Sequence, residues 1–184
     1  MKNIIVQEMV TVDGFFAGPG GEIDWHVVDS EFNEYAVGVL KSVDTLIFGR
    51  VTYEMMANYW PMPAALKDDP IVAERMNNLF KIVFSKAGNE TAWNNTKALN
   101  DINAADILKM KQEPGKDMII FGSGTIVSEF TRLGLVDEYL FIVNPVILGK
   151  GKTLFPGITA SQKLKLVKTR QFSSGNVLLQ YKPS

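Results

Sequence analysis

The sequence predicts an α/β fold: a mixed, mainly parallel sheet with helices on both faces and an antiparallel C-terminal hairpin. Three observations predict it. Short β-rich apolar runs alternate with helix-period stretches through the first two-thirds of the chain, the pattern of strands joined by right-handed helical crossovers. The last third loses the helical period and sets two extended runs on either side of Ser173-Ser174-Gly175-Asn176, a hairpin turn by its residues. Two of the short strands run directly into glycine turns that open helices, at Gly49 and at Gly122.

Bulk properties frame the rest. The 184 residues fit one compact domain, 1–184, with a real core. A net charge of -1 gives no overall pull toward nucleic acid or an anionic membrane. No apolar run approaches the roughly 18 residues that span a bilayer, and Met1-Lys2-Asn3 leads into a strand pattern rather than a signal peptide. With no cysteine there is no disulfide, thiolate nucleophile or cysteine zinc site, and the lone His26 argues against any protein zinc site. A cytoplasmic protein with a small-molecule partner, and with no nucleic acid, membrane or metal, is the expectation.

Residues 4–12 open as a β-rich run, continuously apolar at first and alternating later, as in a central strand whose end emerges from the sheet. Asp13-Gly14 makes a turn, Phe15-Phe16-Ala17 a short extended piece, and Gly18-Pro19-Gly20-Gly21 a loop. Beside two phenylalanines, that loop reads either as a flap over a pocket or as a plain surface loop. Asp29 or Ser30 can cap a helix over about 31–42, on which Phe32, Tyr35, Ala36, Val39 and Leu40 share a face. Asp29 has a second reading as a catalytic carboxylate: beside Trp25, it can hold a polar heterocycle or help protonate it. His26 reads as a loop or helix-entry residue.

Residues 44–48 form the next strand, and a helix begins over 49–56. Gly49 lets a ligand approach the backbone, Arg50 offers a charged fork, and Thr52 offers a hydroxyl to a phosphate. Tyr53 and Met56, with Trp25, are the candidate substrate wall; Met55, Tyr59 and Trp60 read as core or pocket wall. A further helical stretch covers 64–77. The strand over 79–84 ends in Ser85-Lys86, a hydroxyl and a cation suited to a sugar phosphate. Residues 89–95 read as a turn and short strand around Trp93, and Asp101 as the cap of a helix holding Ile102, Ala105, Ile107, Leu108 and Met110.

Residues 117–121 then give a doubly buried strand, Gly122-Ser123-Gly124-Thr125 a glycine turn, and Ile126, Val127, Phe130 and Leu133 the apolar side of a helix. Uncovered backbone N–H groups and the partial positive charge of the helix end make such a junction an anion site. Two junctions of one kind fit two phosphate contacts on one extended ligand, and a dinucleotide has that form. Residues 136–144 are a strand and 145–155 an extended loop with an apolar start. Residues 164–172 and 177–181 are the arms of the hairpin.

Thr11-Val12-Asp13-Gly14, Gly49-Arg50-Val51-Thr52-Tyr53-Glu54, Gly122-Ser123-Gly124, Gly134-Leu135-Val136-Asp137-Glu138 and Pro145-Val146-Ile147-Leu148-Gly149-Lys150-Gly151 occur in this order. With this set, nearly the whole chain resembles the dihydrofolate reductase-like superfamily. More narrowly, it resembles the reductase domain of bacterial bifunctional riboflavin-biosynthesis deaminase-reductases. The resemblance implies NADPH as cofactor. Gly49, Arg50 and Thr52 would hold one side of its phosphates, and Gly122, Ser123, Gly124 and Thr125 its pyrophosphate. Ser85 and Lys86, helped by Arg50, would read the 2′-phosphate, while Val10 and Ala17 would line the nicotinamide slot. It also implies hydride transfer to a C=N or C=O carbon of a ribosylaminopyrimidine or pterin-like heterocycle. Asp13 would orient substrate hydroxyls or simply form its turn. A homodimer is implied as well, although a core contact explains the apolar run over 145–148 equally.

Two features depart from the family pattern. The His-x-Glu and Pro-Cys-x-x-Cys motifs of a zinc deaminase are missing, so the reductase is expected to stand alone. Dihydrofolate reductases place a carboxylate about five residues beyond a pocket Trp, where this chain has Ser30, with Asp29 one position earlier. A cofactor-binding protein without turnover, and a scaffold whose glycine turns are structural, are the competing readings. Gly122→Val is expected to abolish cofactor binding while leaving a folded domain, by filling the phosphate's position.

Overall fold

The computed structural model describes residues 1–86 and 92–184. In chain order its elements are β1 (Ile4–Thr11), β2 (Phe15–Ala17), α1 (Ser30–Ser42), β3 (Val43–Gly49), α2 (Arg50–Ala57), α3 (Pro63–Asp68), α4 (Pro70–Asn78) and β4 (Phe80–Phe84). There follow β5 (Thr96–Leu99), α5 (Ala104–Gln112), β6 (Asp117–Ile120), α6 (Gly124–Arg132), β7 (Glu138–Asn144), β8 (Lys152–Thr153), β9 (Leu164–Gln171) and β10 (Val177–Pro183). Eight strands make one sheet in the order β5-β4-β3-β6-β1-β7-β10-β9. Neighbours from β5 to β7 run parallel, and β10 pairs antiparallel with both β7 and β9. The mixed sheet and its C-terminal hairpin are those the sequence predicts.

Strand alternation divides the core between the two faces. Ile5, Leu46, Phe48 and Ile119 pack with Phe32 and Leu40 of α1, Tyr53 of α2 and Met76 of α4. Ile4, Val6, Ile47, Met118 and Ile120 pack on the opposite face with Ile107 of α5 and Val127 and Phe130 of α6. Burial on both faces is why these strands read as unbroken apolar runs. From β1 the chain moves outward through β3, β4 and β5, then returns so that β6 lands between β3 and β1. That reversal gathers the C-terminal ends of β3, β6 and β1 at one rim, the place where open α/β sheets bind ligands.

Several local expectations are corrected. The single helix over 64–77 is two, because a proline cannot supply the backbone bond that a continuous helix needs. Asp69 leaves helical geometry at φ -134°, and Pro70 opens α4 at a position where a missing N–H costs little. Asn103, not Asp101, caps α5, its Oδ1 accepting from Ala105 N at 2.9 Å and Asp106 N at 3.3 Å. The strand expected around Trp93 lies later, at β5: Trp93 is anchored in the core, its Nε1 donating to Asn77 Oδ1 at 2.7 Å. Positions 89–91 of that expectation lie outside the described residues. Within 145–155, β8 pairs with β2. Pro145 and Ile147 face outward, Ile147 at 73% exposure, so this run is not a core contact. Among the described residues no helix is long and apolar enough to cross a membrane.

Candidate functional site

Val6 of β1 and Ile47 of β3 both pair with Ile120 of β6, from opposite sides. Two residues further along each strand, Glu8, Gly122 and Gly49 stand level. Gly49 N donates to Gly122 O at 3.0 Å and ties the two glycine junctions together. The N-termini of α2 and α6 therefore converge on one rim. Neither is closed by a side chain: Gly49 and Ser123 hold the cap positions without a cap hydrogen bond, whereas Asp29 and Asn103 bond the first turns of α1 and α5. The N–H groups of Gly124 and Thr125 come before any intrahelical acceptor, so α6 presents donors and partial positive charge to an anion. Ser123 Oγ and Thr125 Oγ1, 2.9 Å apart, add hydroxyls at the same end.

Glycine is required at both junctions for different reasons. A Cβ at Gly49 would lie 2.5 Å from Ser123 Oγ and 2.8 Å from Ile126 Cγ1, too close for the junctions to meet. Gly122 has φ +96°, in the left-handed region, and a Cβ there would lie 3.1 Å from Glu8 Oε1 and 3.2 Å from Thr52 Oγ1. A side chain at Gly122 would thus enter the gap between Glu8 and Thr52.

The other cofactor candidates gather at this rim. Gly49 pairs with Phe84, so Ser85 and Lys86 leave β4 beside it, Ser85 buried and Lys86 exposed. Thr52 is buried, Val10 follows Glu8 on the same face of β1, and Ala17 is buried at the end of β2. Arg50 turns along its own helix, its Nη1 donating to both Glu54 oxygens at 2.8 and 2.9 Å. Both side chains are about half exposed, and such a pair is worth no more than about 1 kcal/mol, so a phosphate can draw the guanidinium away.

The catalytic and substrate candidates are engaged by the protein itself. Asp13 Oδ1 accepts from Thr11 Oγ1 at 2.6 Å and Leu148 N at 3.2 Å, and its Oδ2 accepts from Gly149 N at 2.7 Å. The Thr11 hydroxyl, then these amides, hold its carboxyl below the usual range, and the residue fastens the 148–149 turn to the end of β1. Asp29 is the N-cap of α1, accepting from Phe32 N at 2.8 Å. Trp25 Nε1 donates to Glu22 O at 3.1 Å, and its ring meets His26 edge-on at 4.4 Å. Tyr53 is a core residue rather than a pocket wall: its ring packs on Phe48 and Trp93, and its hydroxyl accepts from Trp93 N at 3.1 Å. Met56 is half-buried, with Sδ accepting from Trp60 Nε1 at 3.1 Å.

Glu8 is the site residue that no motif marks. Its signal in the sequence is Gln7-Glu8, two polar residues inside an apolar central strand. Glu8 is 8% exposed, and its Oε1 is buried with no hydrogen-bond partner among the described residues. Burial pushes its carboxyl up to about 8, so it is largely protonated at neutral pH. Burial likewise pushes His26 down to about 4, leaving a neutral ring.

A cleft of about 450 Å³ lies elsewhere, between α1 and β9, lined by Glu34, Tyr35, Gly38, Val39, Ser42 and Arg170. Its Arg170 already donates to Glu31 Oε1 at 3.0 Å, and neither glycine junction lines it. The rim at Gly49 and Gly122 is the better anion site, because it supplies helix-end donors that no side chain caps among the described residues.

The family model described as the RibD C-terminal domain matches residues 2–178. The uncharacterized protein YyaP of Bacillus subtilis strain 168 is 36% identical over 186 residues, spanning 98% of this chain and 94% of that protein. Among solved structures, a diaminohydroxyphosphoribosylaminopyrimidine deaminase/5-amino-6-(5-phosphoribosylamino)uracil reductase from Thermotoga maritima superposes with a TM-score of 0.70 at 17% identity, over 100% of this chain and 57% of that one. Dihydrofolate reductase from Enterococcus faecalis, complexed with NADP(H) and RAB-propyl, superposes with a TM-score of 0.66 at 17% identity, over 99% of this chain and 96% of that one. At these identities the two structures share the fold.

Proposed function

The chain belongs to the RibD C-terminal domain family, and from that premise we propose that it is an NADPH-dependent reductase acting on a small heterocycle of the ribosylaminopyrimidine kind. The observation that carries the proposal is the meeting of two uncapped helix N-termini, joined by the 3.0 Å bond from Gly49 N to Gly122 O. The names of the Thermotoga and Enterococcus neighbours, a 5-amino-6-(5-phosphoribosylamino)uracil reductase and a dihydrofolate reductase complexed with NADP(H), agree with it.

The fit to a phosphorylated dinucleotide is chemical. Helix-end amides at Gly124 and Thr125 suit a pyrophosphate, Thr52 a second phosphate contact, and Arg50, Ser85 and Lys86 a 2′-phosphate. Bound NADPH supplies a hydride at nicotinamide C4. The chain's own part is positional: Val10 and Ala17 border a flat ring, while the helix ends fix the other half of the ligand. NADPH at a hundredfold excess over its Kd is expected to stabilise the fold by about 3 kcal/mol, roughly 5–10 °C in Tm for a chain of this size, and NADH by less. Loss of reduced-nicotinamide absorbance with the deaminated ribosylaminopyrimidine, and not with dihydrofolate, is the expected activity. No thermal shift with NADPH would remove the proposal.

A further inference from the structure

We propose that the Glu8 side chain is a hydrogen-bond donor of the cofactor site, directed at an oxygen of the dinucleotide where it passes Gly122 and Thr52. This inference rests on the reductase reading and adds to it a group that neither glycine junction requires.

Three observations meet at Glu8. First, its Oε1 is buried without a partner among the described residues, a costly state for a polar atom unless something outside the chain completes it. Second, the register of β1 with β6 puts it beside the Gly122 turn, where its Oε1 and Thr52 Oγ1 lie 3.1 and 3.2 Å from the position a Cβ on Gly122 would take, so both flank the bare face of that glycine. Third, the adjoining end of α6 is uncapped, so the orphaned carboxyl faces the stretch already suited to an anion. An ionised carboxylate would repel phosphate oxygens there. A protonated one donates to them, and burial holds the proton on up to about pH 8.

The elements packed around Glu8 bring few competing charges. Val6 and Val10 share its face of β1, and Phe141 of β7 stands opposite. Tyr139, also on β7, has its hydroxyl committed to Thr131 Oγ1 at 2.9 Å. On α2, Arg50 and Glu54 pair with each other, as do Glu129 and Arg132 on α6. Lys81, pushed down to about 8 by burial, titrates in the same window. Its carbonyl partners are Asn77, Leu79 and Asn94.

The sign follows. Below about pH 8 the free protein already carries the proton; above it, binding must restore one. NADPH affinity should therefore fall about thirtyfold from pH 7 to pH 9.5, with uptake approaching one proton. The cofactor's own 2′-phosphate titrates with a midpoint of about pH 6, below this window, and adds little to it. Calorimetry in two buffers of different ionisation heat, on the full chain and on Glu8→Gln, measures affinity and proton uptake together. Gln keeps a donor that never titrates, so Glu8→Gln should bind with flat affinity and no uptake, whereas a Lys81 contribution would persist in it. Tight binding by the wild type at pH 9.5 without proton uptake, or the same pH loss in both proteins, overturns the role of Glu8 and leaves the reductase reading intact. No NADPH binding at any pH overturns both. Should Glu8→Gln fail to fold, the wild-type uptake, read alongside the carboxyl carbon shift of Glu8, decides the question alone.

Discussion

At Gly122 two demands coincide: a backbone at φ +96° and a side-chain position already bounded by Glu8 and Thr52. Left-handed backbone costs a non-glycine residue about 1–2 kcal/mol, more for a β-branched one, and the contact adds to it. Gly122→Val should lose roughly 2–4 kcal/mol of stability in urea and bind NADPH far more weakly. Unchanged stability would show that the turn is not built as described. The glycine is legible in the sequence as a tight junction, because an apolar strand run meets Gly-Ser-Gly and then a helix period. Glu8 was less so: its importance depends on the register that lays Gly122 alongside it, and register between distant segments leaves no local mark. Tyr53 fails for a related reason, since an aromatic on the first turn of a helix can face pocket or core, and Trp93 settles it.

Among the elements, the connection from α4 to β5 depends on a buried lysine. Lys81 Nζ donates to Asn77 O at 2.9 Å, Leu79 O at 2.8 Å and Asn94 O at 3.1 Å, and sits 4.4 Å from the centre of the Trp93 ring. It thereby satisfies carbonyls at the C-terminus of α4, where a cation is also favoured by the helix dipole. Lys81→Met keeps the volume but orphans those carbonyls, and should cost about 2–3 kcal/mol in chemical denaturation. A neutral outcome would mean that water replaces the ammonium. Helix starts were partly legible: Asp29 sits where a cap belongs. Asn103 was obscured by Asp101, an equally good cap two residues earlier, and the break at Pro70 was hidden by apolar spacing that continues through it.

Over the whole molecule, buried groups of opposite habit shape stability against pH. His26, at about 4 when folded against an ordinary 6.5, takes its proton first in the unfolded chain, so stability falls as pH drops from 6.5 toward 4. Glu31 is held at about 2, chiefly by the Ser173 amide and then Arg170, and its contribution is lost as pH falls from 4.5. Glu8 acts oppositely: between 4.5 and about 8 the folded form keeps a proton that the unfolded form has lost, so stability falls as pH rises. Lys81 reverses the trend above about 8. A plateau near pH 4.5–6.5, a drop on the order of 1–2 kcal/mol by pH 8 and a partial recovery beyond it are expected from denaturation at each pH, and Glu8→Gln should remove the drop. The α/β class was legible because doubly buried strands and helices differ in period. The meeting of the two junctions was not, because it depends on β6 returning between β3 and β1. That meeting is the central claim, and amide shifts during an NADPH titration test it most directly. The backbone N–H signals of Gly49 to Thr52 and of Gly122 to Thr125 should move together with one common Kd; movement at only one junction, or in the α1–β9 cleft instead, would contradict it.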